Sequence, residues 1–232
     1  MNISLSPRLS ACCSFVRPGD RVADVGCDHG YLSIHLLKNG IAASVIASDI
    51  NEGPLDSAVK NAAKYGVTDR INFYLSDGVR NIPRDFNTMI CAGMGADTMV
   101  SILEAAPWLK SADYRMILQC QSKTAMLREY LSANGWRIQQ EVPLRDGRFL
   151  YTVMEVCYAP NAPRLTSAEC HFPPAMLNAD SPVLSEYYQD ILFRLRRKIT
   201  GRGAEAEPEL VQILQELEAL SNLPQLSQTK EV

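Results

Sequence analysis

Short apolar runs alternate with helical segments over the first 158 residues of the chain. This alternation predicts βαβ units, and therefore a parallel sheet covered by helices. The strand-like runs are Arg21–Val25, Ala43–Ala47, Ile71–Leu75, Thr88–Ala92 and Arg115–Leu118. The helical segments between them are Tyr31–Lys38, Leu55–Tyr65, Asp97–Ala106 and Thr124–Ala133.

The alternation of strand-like and helical segments stops after the fifth strand. Gly135–Val142 and Arg148–Val156 are typical of two strands, and only Pro143–Gly147 separates them. Such a pair is a hairpin rather than another crossover unit. A parallel α/β sheet closed by one hairpin is the pattern of a Rossmann-like class I methyltransferase, which we expect for residues 1–158.

The rest of the chain, residues 159–232, has a different character. Tyr158–Pro174 contains four prolines and is predicted to be a linker. Two apolar stripes at helical spacing follow, over 184–199 and 210–220, with Gly201 and Gly203 between them. This pattern predicts a small C-terminal α-helical hairpin, similar to a coiled coil.

Composition excludes several classes of protein. No apolar run approaches the roughly 18 residues of a membrane span, and Met1–Ser10 lacks the apolar core of a secretory signal, so a cytoplasmic protein is expected.

The seven cysteines form no CxxC pair and no cluster with histidine, which favours reduced, buried thiols and no metal site. We expect a monomer. The net charge of −3 gives no overall signature of nucleic-acid binding, although a local basic patch is compatible with it.

The segment Val22–Gly30 joins the first strand to the first helix and contains Asp24, Gly26 and Asp28. Glycine at this turn lets the main chain approach a ligand closely, as in dinucleotide-binding enzymes. Acids flanking the turn would repel a pyrophosphate, but they suit a ligand with a cationic amine and a sulfonium. This charge argument favours S-adenosylmethionine over NAD, while an ordinary strand-to-helix turn is the alternative interpretation.

Two further acidic positions follow strands. Asp49 ends the second strand, where a carboxylate can accept both ribose hydroxyls of an adenosine. Asp77 and Gly78 follow the third strand, where an acid can accept from the adenine amine. Either acid alone would usually be a solvated loop residue, but together they lie at the sheet edge where α/β proteins bind ligands.

Other turns are less specific. Gly93 and Met94 end the fourth strand, where they would face a methyl donor and acceptor or form a tight turn before a helix. Gln119 and Gln121 end the fifth strand and could read a base edge or cap the next helix. His29 could contact the cofactor, the base or only the main chain.

A basic cluster lies on and just beyond the first C-terminal helix. It consists of Arg194, Arg196, Arg197, Lys198 and Arg202. The cluster could bind phosphates, because RNA recognition depends on local cations, or it could be a solvated face that pairs with nearby acids.

Taken in order, these motifs resemble the bacterial tRNA (adenine-N1)-methyltransferases that modify adenine 22, the TrmK family. The resemblance covers the whole of residues 1–158 and includes the C-terminal helices. The motifs are Leu5–Leu9, Asp24–His29, Ser48–Leu55, Asp77-Gly78, Ala92–Gly95, Gln119–Gln121 and Glu141–Tyr151. The chain departs from the family pattern at Ala96, which replaces a glycine, at Cys120, which replaces a proline, and at Gly30, often an alanine.

The resemblance implies transfer of a methyl group from S-adenosylmethionine to N1 of an adenine in tRNA, without a metal. The alternative is a methyltransferase acting on a small molecule, which would need no basic C-terminal hairpin. The implied catalytic residues are Asp28, His29 and Met94. The implied cofactor-binding residues are Asp24, Gly26, Gly30, Asp49, Ile50, Asp77, Gly78 and Gly93. The candidates for tRNA contact are Arg8, Gln119, Gln121, Arg128, Arg145, Arg148, Arg194, Arg197 and Lys198.

Overall fold

A computed structural model describes residues 3–202 and 208–227 of the chain. Its centre is a seven-stranded sheet of order β3-β2-β1-β4-β5-β7-β6. Strands β1 to β5 are mutually parallel, while β7 runs antiparallel to both of its neighbours. The strands are β1 Asp20–Val25, β2 Ala42–Asp49, β3 Ile71–Leu75, β4 Thr88–Met94, β5 Arg115–Cys120, β6 Trp136–Asp146 and β7 Phe149–Tyr158. The expected Rossmann-like methyltransferase sheet is confirmed.

Helices cover both faces of the sheet, and each face has its own apolar core. Met89 and Met116 lie at the centre of one core, and Ile90 and Ile117 at the centre of the other, all fully buried. Because these strands are buried on both faces, they read as continuous apolar runs in the sequence. The α-helices are α1 Pro7–Ser14, α2 Tyr31–Lys38, α3 Glu52–Tyr65, α4 Ala96–Glu104, α5 Thr124–Ala133, α6 Ser167–His171, α7 Leu184–Arg202, α8 Pro208–Ala219 and α9 Pro224–Ser227.

The hairpin is longer than the sequence predicts. Residues 143–146 belong to β6, and Asp146 pairs with Phe149, so the predicted five-residue loop is wrong and the turn is tight. The prediction placed Pro143 in a loop because proline has no main-chain N–H to donate to a neighbouring strand. It is tolerated here because β6 is an edge strand, where one side of the main chain needs no partner.

The sequence analysis also missed α1. Ser6 caps this helix with its hydroxyl, and Pro7 occupies the first helical position, where its missing N–H costs nothing. Cys12 and Cys13 on its inner face enter the apolar core that α1 shares with α2 and with strands β4 to β7. The helix brings the N-terminal residues to the carboxyl ends of the strands.

The predicted linker is not an open spacer. It contains α6, which begins with a capping box formed by Thr166 and Glu169. Phe172 and the following residues share a third apolar core with α7 and α8. The C-terminal helical region is confirmed, although α7 runs through Gly201 to Arg202, and Gly203 lies outside the described residues.

All seven cysteines are free, and only Cys157 is more than marginally exposed. None of the helices within the described ranges is both long and apolar enough to cross a membrane.

Candidate active site

A cavity of about 560 Å³ opens at the carboxyl ends of β1 to β4. It lies where the strand order reverses, since β1 pairs with β2 on one side and β4 on the other. Open α/β sheets bind ligands at this switch point, because the flanking loops diverge there and leave a crevice. The turns after these strands, together with the start of α1, form the wall of the cavity.

The glycine turn after β1 follows the edge of the cavity closely. Gly26 has φ +74°, and a Cβ at this position would collide with the terminal methyl of Met94. The main-chain N–H groups of Gly26 and Cys27 both donate to the carbonyl of Ser48 at the end of β2. The turn is therefore fixed to the end of β2, and the absence of a side chain at Gly26 leaves room for Met94.

Asp24 is the most deeply placed acid of the wall, with 4% of its surface exposed. Burial raises the pKa of its carboxyl to about 6, although the hydrogen bond from the Ser33 hydroxyl, 2.6 Å away, opposes the shift. Burial in low dielectric disfavours the charged form of an acid. A cation bound beside Asp24 would reverse this effect and favour the carboxylate.

Asp49 joins two of the turns. One carboxylate oxygen accepts from the main-chain N–H of Asp28 at 3.1 Å, and the other accepts from Asn51 at 2.9 Å. Asp28 has φ +50°, a left-handed conformation that a non-glycine residue rarely adopts. The Asp49 carboxylate therefore helps to hold Asp28 in the conformation that directs its own side chain outward.

The exposed side chains of Asp28 and His29 form the rim of the cavity. The Nε2 atom of His29 lies 3.6 Å from a carboxylate oxygen of Asp28, and both side chains are more than half exposed. The His29 ring is also tilted against Tyr31 at the start of α2, with ring centroids 6.2 Å apart. These groups are accessible to a second ligand that enters beside the first.

The turn after β3 forms the opposite wall. Gly78 has φ +60°, and a Cβ there would approach Ile102 of α4 to 2.9 Å. Asp77 faces the cavity and pairs with Arg80 at 3.1 Å. Ile50, which follows Asp49 at the end of β2, contributes an apolar surface to the cavity, with 63% of its surface exposed.

Comparison with known proteins identifies this arrangement. A family model described as a methyltransferase domain matches residues 5–154. A putative tRNA methyltransferase of Mycoplasma genitalium is 30% identical over 74% of this chain and 78% of its own length. The tRNA (adenine(22)-N(1))-methyltransferase of Bacillus subtilis is 31% identical over 66% of this chain and 64% of its own length.

A solved structure extends the match to the C-terminal helices. It is that of a putative tRNA (m1A22) methyltransferase from Streptococcus pneumoniae in complex with S-adenosyl-L-methionine. The two chains are 30% identical and superpose with a TM-score of 0.81, over 94% of this chain and 99% of the other. The chain belongs to the TrmK family of methyltransferases.

The cavity of this TrmK-family protein gathers most of the residues predicted from the sequence. Gly30 is an exception: it is buried against α3, where a Cβ would approach that of Ala58 to 2.9 Å, so the structure gives it a packing role. The predicted residues in the wall are Arg8, Asp24, Gly26, Asp28, His29, Asp49, Ile50, Asp77, Gly78, Gly93, Met94 and Gln121.

Two predicted tRNA contacts are wrong. Gln119 is fully buried; its amide oxygen accepts from the N–H of Gly93 at 3.1 Å and its amide nitrogen donates to a carbonyl, so it can neither read a base nor cap α5. Arg128 is also buried and forms a two-pronged ion pair with Glu141, at 2.7 and 3.1 Å. With 1% of its side chain exposed, this guanidinium is occupied by partners within the protein and not by phosphates.

The other cations predicted to contact tRNA lie outside the cavity. Arg145 forms an ion pair with Glu186 of α7, and Arg148 lies over the ring of Phe149 near the hairpin turn. On α7, Arg194 pairs with Asp190 at 2.8 Å, and Arg197 lies over the ring of Phe193. All of these side chains remain exposed, and their contact with tRNA stays a prediction.

The sequence analysis missed several residues of the wall. Ser6 and Leu9 of the α1 region contribute, together with Tyr31, Pro54 and Thr98. A signal for the first two existed, because serine followed by proline is a common helix start. Nothing in the sequence marks Tyr31 and Thr98 as cavity residues. Both lie in the first turn of a helix, and whether they face the cavity depends on how that helix packs on the sheet.

Proposed function

We propose that this protein transfers a methyl group from S-adenosylmethionine to N1 of adenine 22 in tRNA. The observation that carries the proposal is the acidic cavity at the strand ends, in a chain that matches the Streptococcus pneumoniae protein over nearly its whole length. The catalytic and binding roles below are part of the proposal.

The wall of the cavity fits this cofactor. Four carboxylates line it, from Asp24, Asp28, Asp49 and Asp77, whereas Arg8 is its one guanidinium or ammonium among the described residues. Such a surface attracts a cationic ligand and repels a pyrophosphate. Asp49 has the position for the ribose hydroxyls and Ile50 for the adenine ring, while Asp24 suits the amino group.

When bound, the cofactor supplies an electrophilic methyl group on its sulfonium. The protein's contribution is to align the acceptor nitrogen with that methyl group and to exclude other geometries. Met94 and Gly26 lie against each other in the wall of the cavity, so they limit the approach from that side. No strong base is needed, because N1 of adenine carries a free lone pair at neutral pH.

Asp28 is placed to stabilise the product as it forms. Methylation at N1 puts positive charge on the adenine ring, and an exposed carboxylate at the rim opposes that charge. His29 lies beside Asp28 and can contact the base edge or hold the carboxylate in position. The N1 atom is on the pairing edge, so the target adenine must be unpaired or turned out of a helix.

The small-molecule alternative is not favoured. A small acceptor needs only the cavity, yet in this chain α6 and α7 are bound to the catalytic region through Arg128 and carry exposed cations. Cations beside an acidic cofactor cavity suit a substrate with phosphates.

The test is methylation of an unmodified tRNA transcript, followed by digestion and mass mapping of the nucleosides. We expect 1-methyladenosine at position 22, and none in a matched transcript with guanosine there. Calorimetric titration should show binding of S-adenosylmethionine and not of NAD. Methylation of both transcripts elsewhere, or of neither, would contradict the proposal.

We further propose that the enzyme acts as a monomer, without a metal ion and in the cytoplasm. Within residues 3–202 and 208–227, no group of three or more potential ligands is arranged to hold a metal. Activity that survives EDTA, a monomeric mass by light scattering, and recovery in the cytosolic fraction are the expected results.

A further inference from the structure

A second cavity, of about 310 Å³, lies between the catalytic region and α7, and we call it the α7 groove. One wall is the loop from Gln121 to Thr124, another is the segment Leu150–Thr152 of β7, and the third is one face of α7. Its volume is at the lower end of the range for small-ligand sites, which leaves room for one nucleotide and not for a helix.

The α7 groove adjoins the methyl-transfer cavity. Gln121 lines both cavities. Arg8, in the wall of the first, lies with its guanidinium 5.1 Å from the ring centre of Tyr151, which lines the second. A chain whose base enters the first cavity would therefore pass its next nucleotide over this boundary.

Cations line the groove. Lys123, Arg194 and Lys198 are its exposed cations, and the buried Arg128, which is paired with Glu141, also lines it. Asp190 supplies the one carboxylate among the described residues of the lining. Lys123 pairs with Asp97 and Arg194 with Asp190, each at 2.8 Å. Lys198 lies one turn beyond Arg194 and has no ion-pair partner within the described ranges, so its charge is free to meet a phosphate.

The β7 wall also offers unused hydrogen-bonding groups. The ladder between β5 and β7 ends at Leu118 and Met154, so Leu150–Thr152 pairs only with β6. Thr152 lines the groove and is 2% exposed, and its buried hydroxyl has no hydrogen-bond partner among the described atoms. Buried hydroxyls without a partner are rare, because desolvation without compensation is costly.

We propose that the α7 groove is a second nucleotide subsite, which holds an unpaired nucleotide next to the target adenine. Its phosphate contacts Lys198 and Arg194, and its ribose hydroxyl bonds to Thr152. This inference rests on the proposed function, since it takes the substrate to be RNA. The proposal assigns phosphate binding to one face of the basic cluster. Arg196 and Arg197 do not line the groove. Arg196 instead pairs with Glu218 of α8 at 2.7 Å.

The test compares Lys198→Gln and Arg194→Gln with the matched control Arg196→Gln, which removes the same charge from another face of α7. The probe is an unmodified tRNA transcript, titrated at several salt concentrations, with single-turnover methylation followed in parallel. Loss of one phosphate contact should reduce the log–log salt slope by about 0.7–0.9, and the control should keep the wild-type slope. Affinity for S-adenosylmethionine should stay unchanged in all three.

Thr152→Val removes the hydroxyl while retaining the shape of the side chain. We expect several-fold weaker tRNA binding at an unchanged salt slope, because no charge is lost. Lys198 has no ion pair to break within the described ranges. A loss of tRNA binding in Lys198→Gln therefore cannot be explained by a broken ion pair that destabilises the fold.

Three outcomes separate the possibilities. Groove variants that bind and methylate tRNA with the slope of the Arg196→Gln control would overturn the subsite and leave the proposed function intact. A wild-type protein that binds S-adenosylmethionine but methylates no tRNA would overturn both. Equal loss of slope in all three arginine and lysine variants would mean a diffuse basic face, and this would also overturn the subsite.

Discussion

Replacement of Glu141 by glutamine tests the connection between the catalytic region and the C-terminal helices. Arg128 and Glu141 are 1% and 0% exposed, and the same guanidinium donates to the carbonyls of Cys170 and His171 at 2.9 Å. Burial by itself lowers the pKa of Arg128, but the Glu141 carboxylate outweighs this and raises the pKa, so the guanidinium stays charged. The variant therefore leaves an uncompensated buried charge.

Breaking a buried ion pair in this way costs about 3–5 kcal/mol. For a chain of this size, 1 kcal/mol corresponds to about 2–4 °C in melting temperature, so Glu141→Gln should lower Tm by about 6–20 °C. The assay is thermal unfolding followed by circular dichroism, at equal concentration and pH. S-adenosylmethionine should still bind at temperatures where the variant is folded, because neither residue lines the cofactor cavity.

The matched control is Arg145→Gln, which removes an exposed ion pair between the same hairpin and α7. Exposed pairs contribute little, so we expect almost no change in Tm. A double variant, Arg128→Met with Glu141→Leu, should recover part of the loss, since apolar side chains often replace a buried pair at little cost. If the Tm of Glu141→Gln equalled that of the Arg145→Gln control, the buried ion pair would not stabilise the connection between the two regions.

Three further predictions concern the cavity. Asp49→Ala should raise the Kd for S-adenosylmethionine about ten- to a hundred-fold, because charge-assisted hydrogen bonds contribute roughly 1.5–3 kcal/mol; an unchanged calorimetric Kd would remove Asp49 from the site. Asp28→Asn should reduce the single-turnover rate much more than cofactor affinity, and equal losses would show that Asp28 holds the donor instead. Since the pKa of Asp24 is about 6 without ligand, cofactor binding should strengthen from pH 5 to pH 7 as the carboxyl loses its proton, and Asp24→Asn should flatten this dependence.

The sheet could be predicted from the sequence because its signals are local. Each parallel strand is an apolar run, all of them except β3 are followed by a helix, and the acids at positions 24, 49 and 77 stand where the first three runs end. Strands that are parallel in one sheet bring their carboxyl ends to one edge. The order of the elements along the chain therefore suffices to place the acids of the cavity together.

Other features depend on partners far along the chain. An arginine at position 128 is typical of an exposed helix, and nothing near it indicates that Glu141 and the carbonyls of residues 170 and 171 surround it. Gln119 likewise bonds to Gly93 on the neighbouring strand. The prolines of the predicted linker suggested an open spacer, but Phe172 within it and Met176 just beyond it are buried in the third core.

The position of Asp49 between two turns has a consequence for how the enzyme can change. One carboxylate is the proposed ribose ligand and also the acceptor that holds the main chain of Asp28. Recognition of the donor and orientation of the acceptor site are thus not independent properties that mutation could adjust one at a time. A ribose that draws Asp49 toward itself would shift the Asp28 turn as well, so occupation of the donor site and the shape of the acceptor rim would change together.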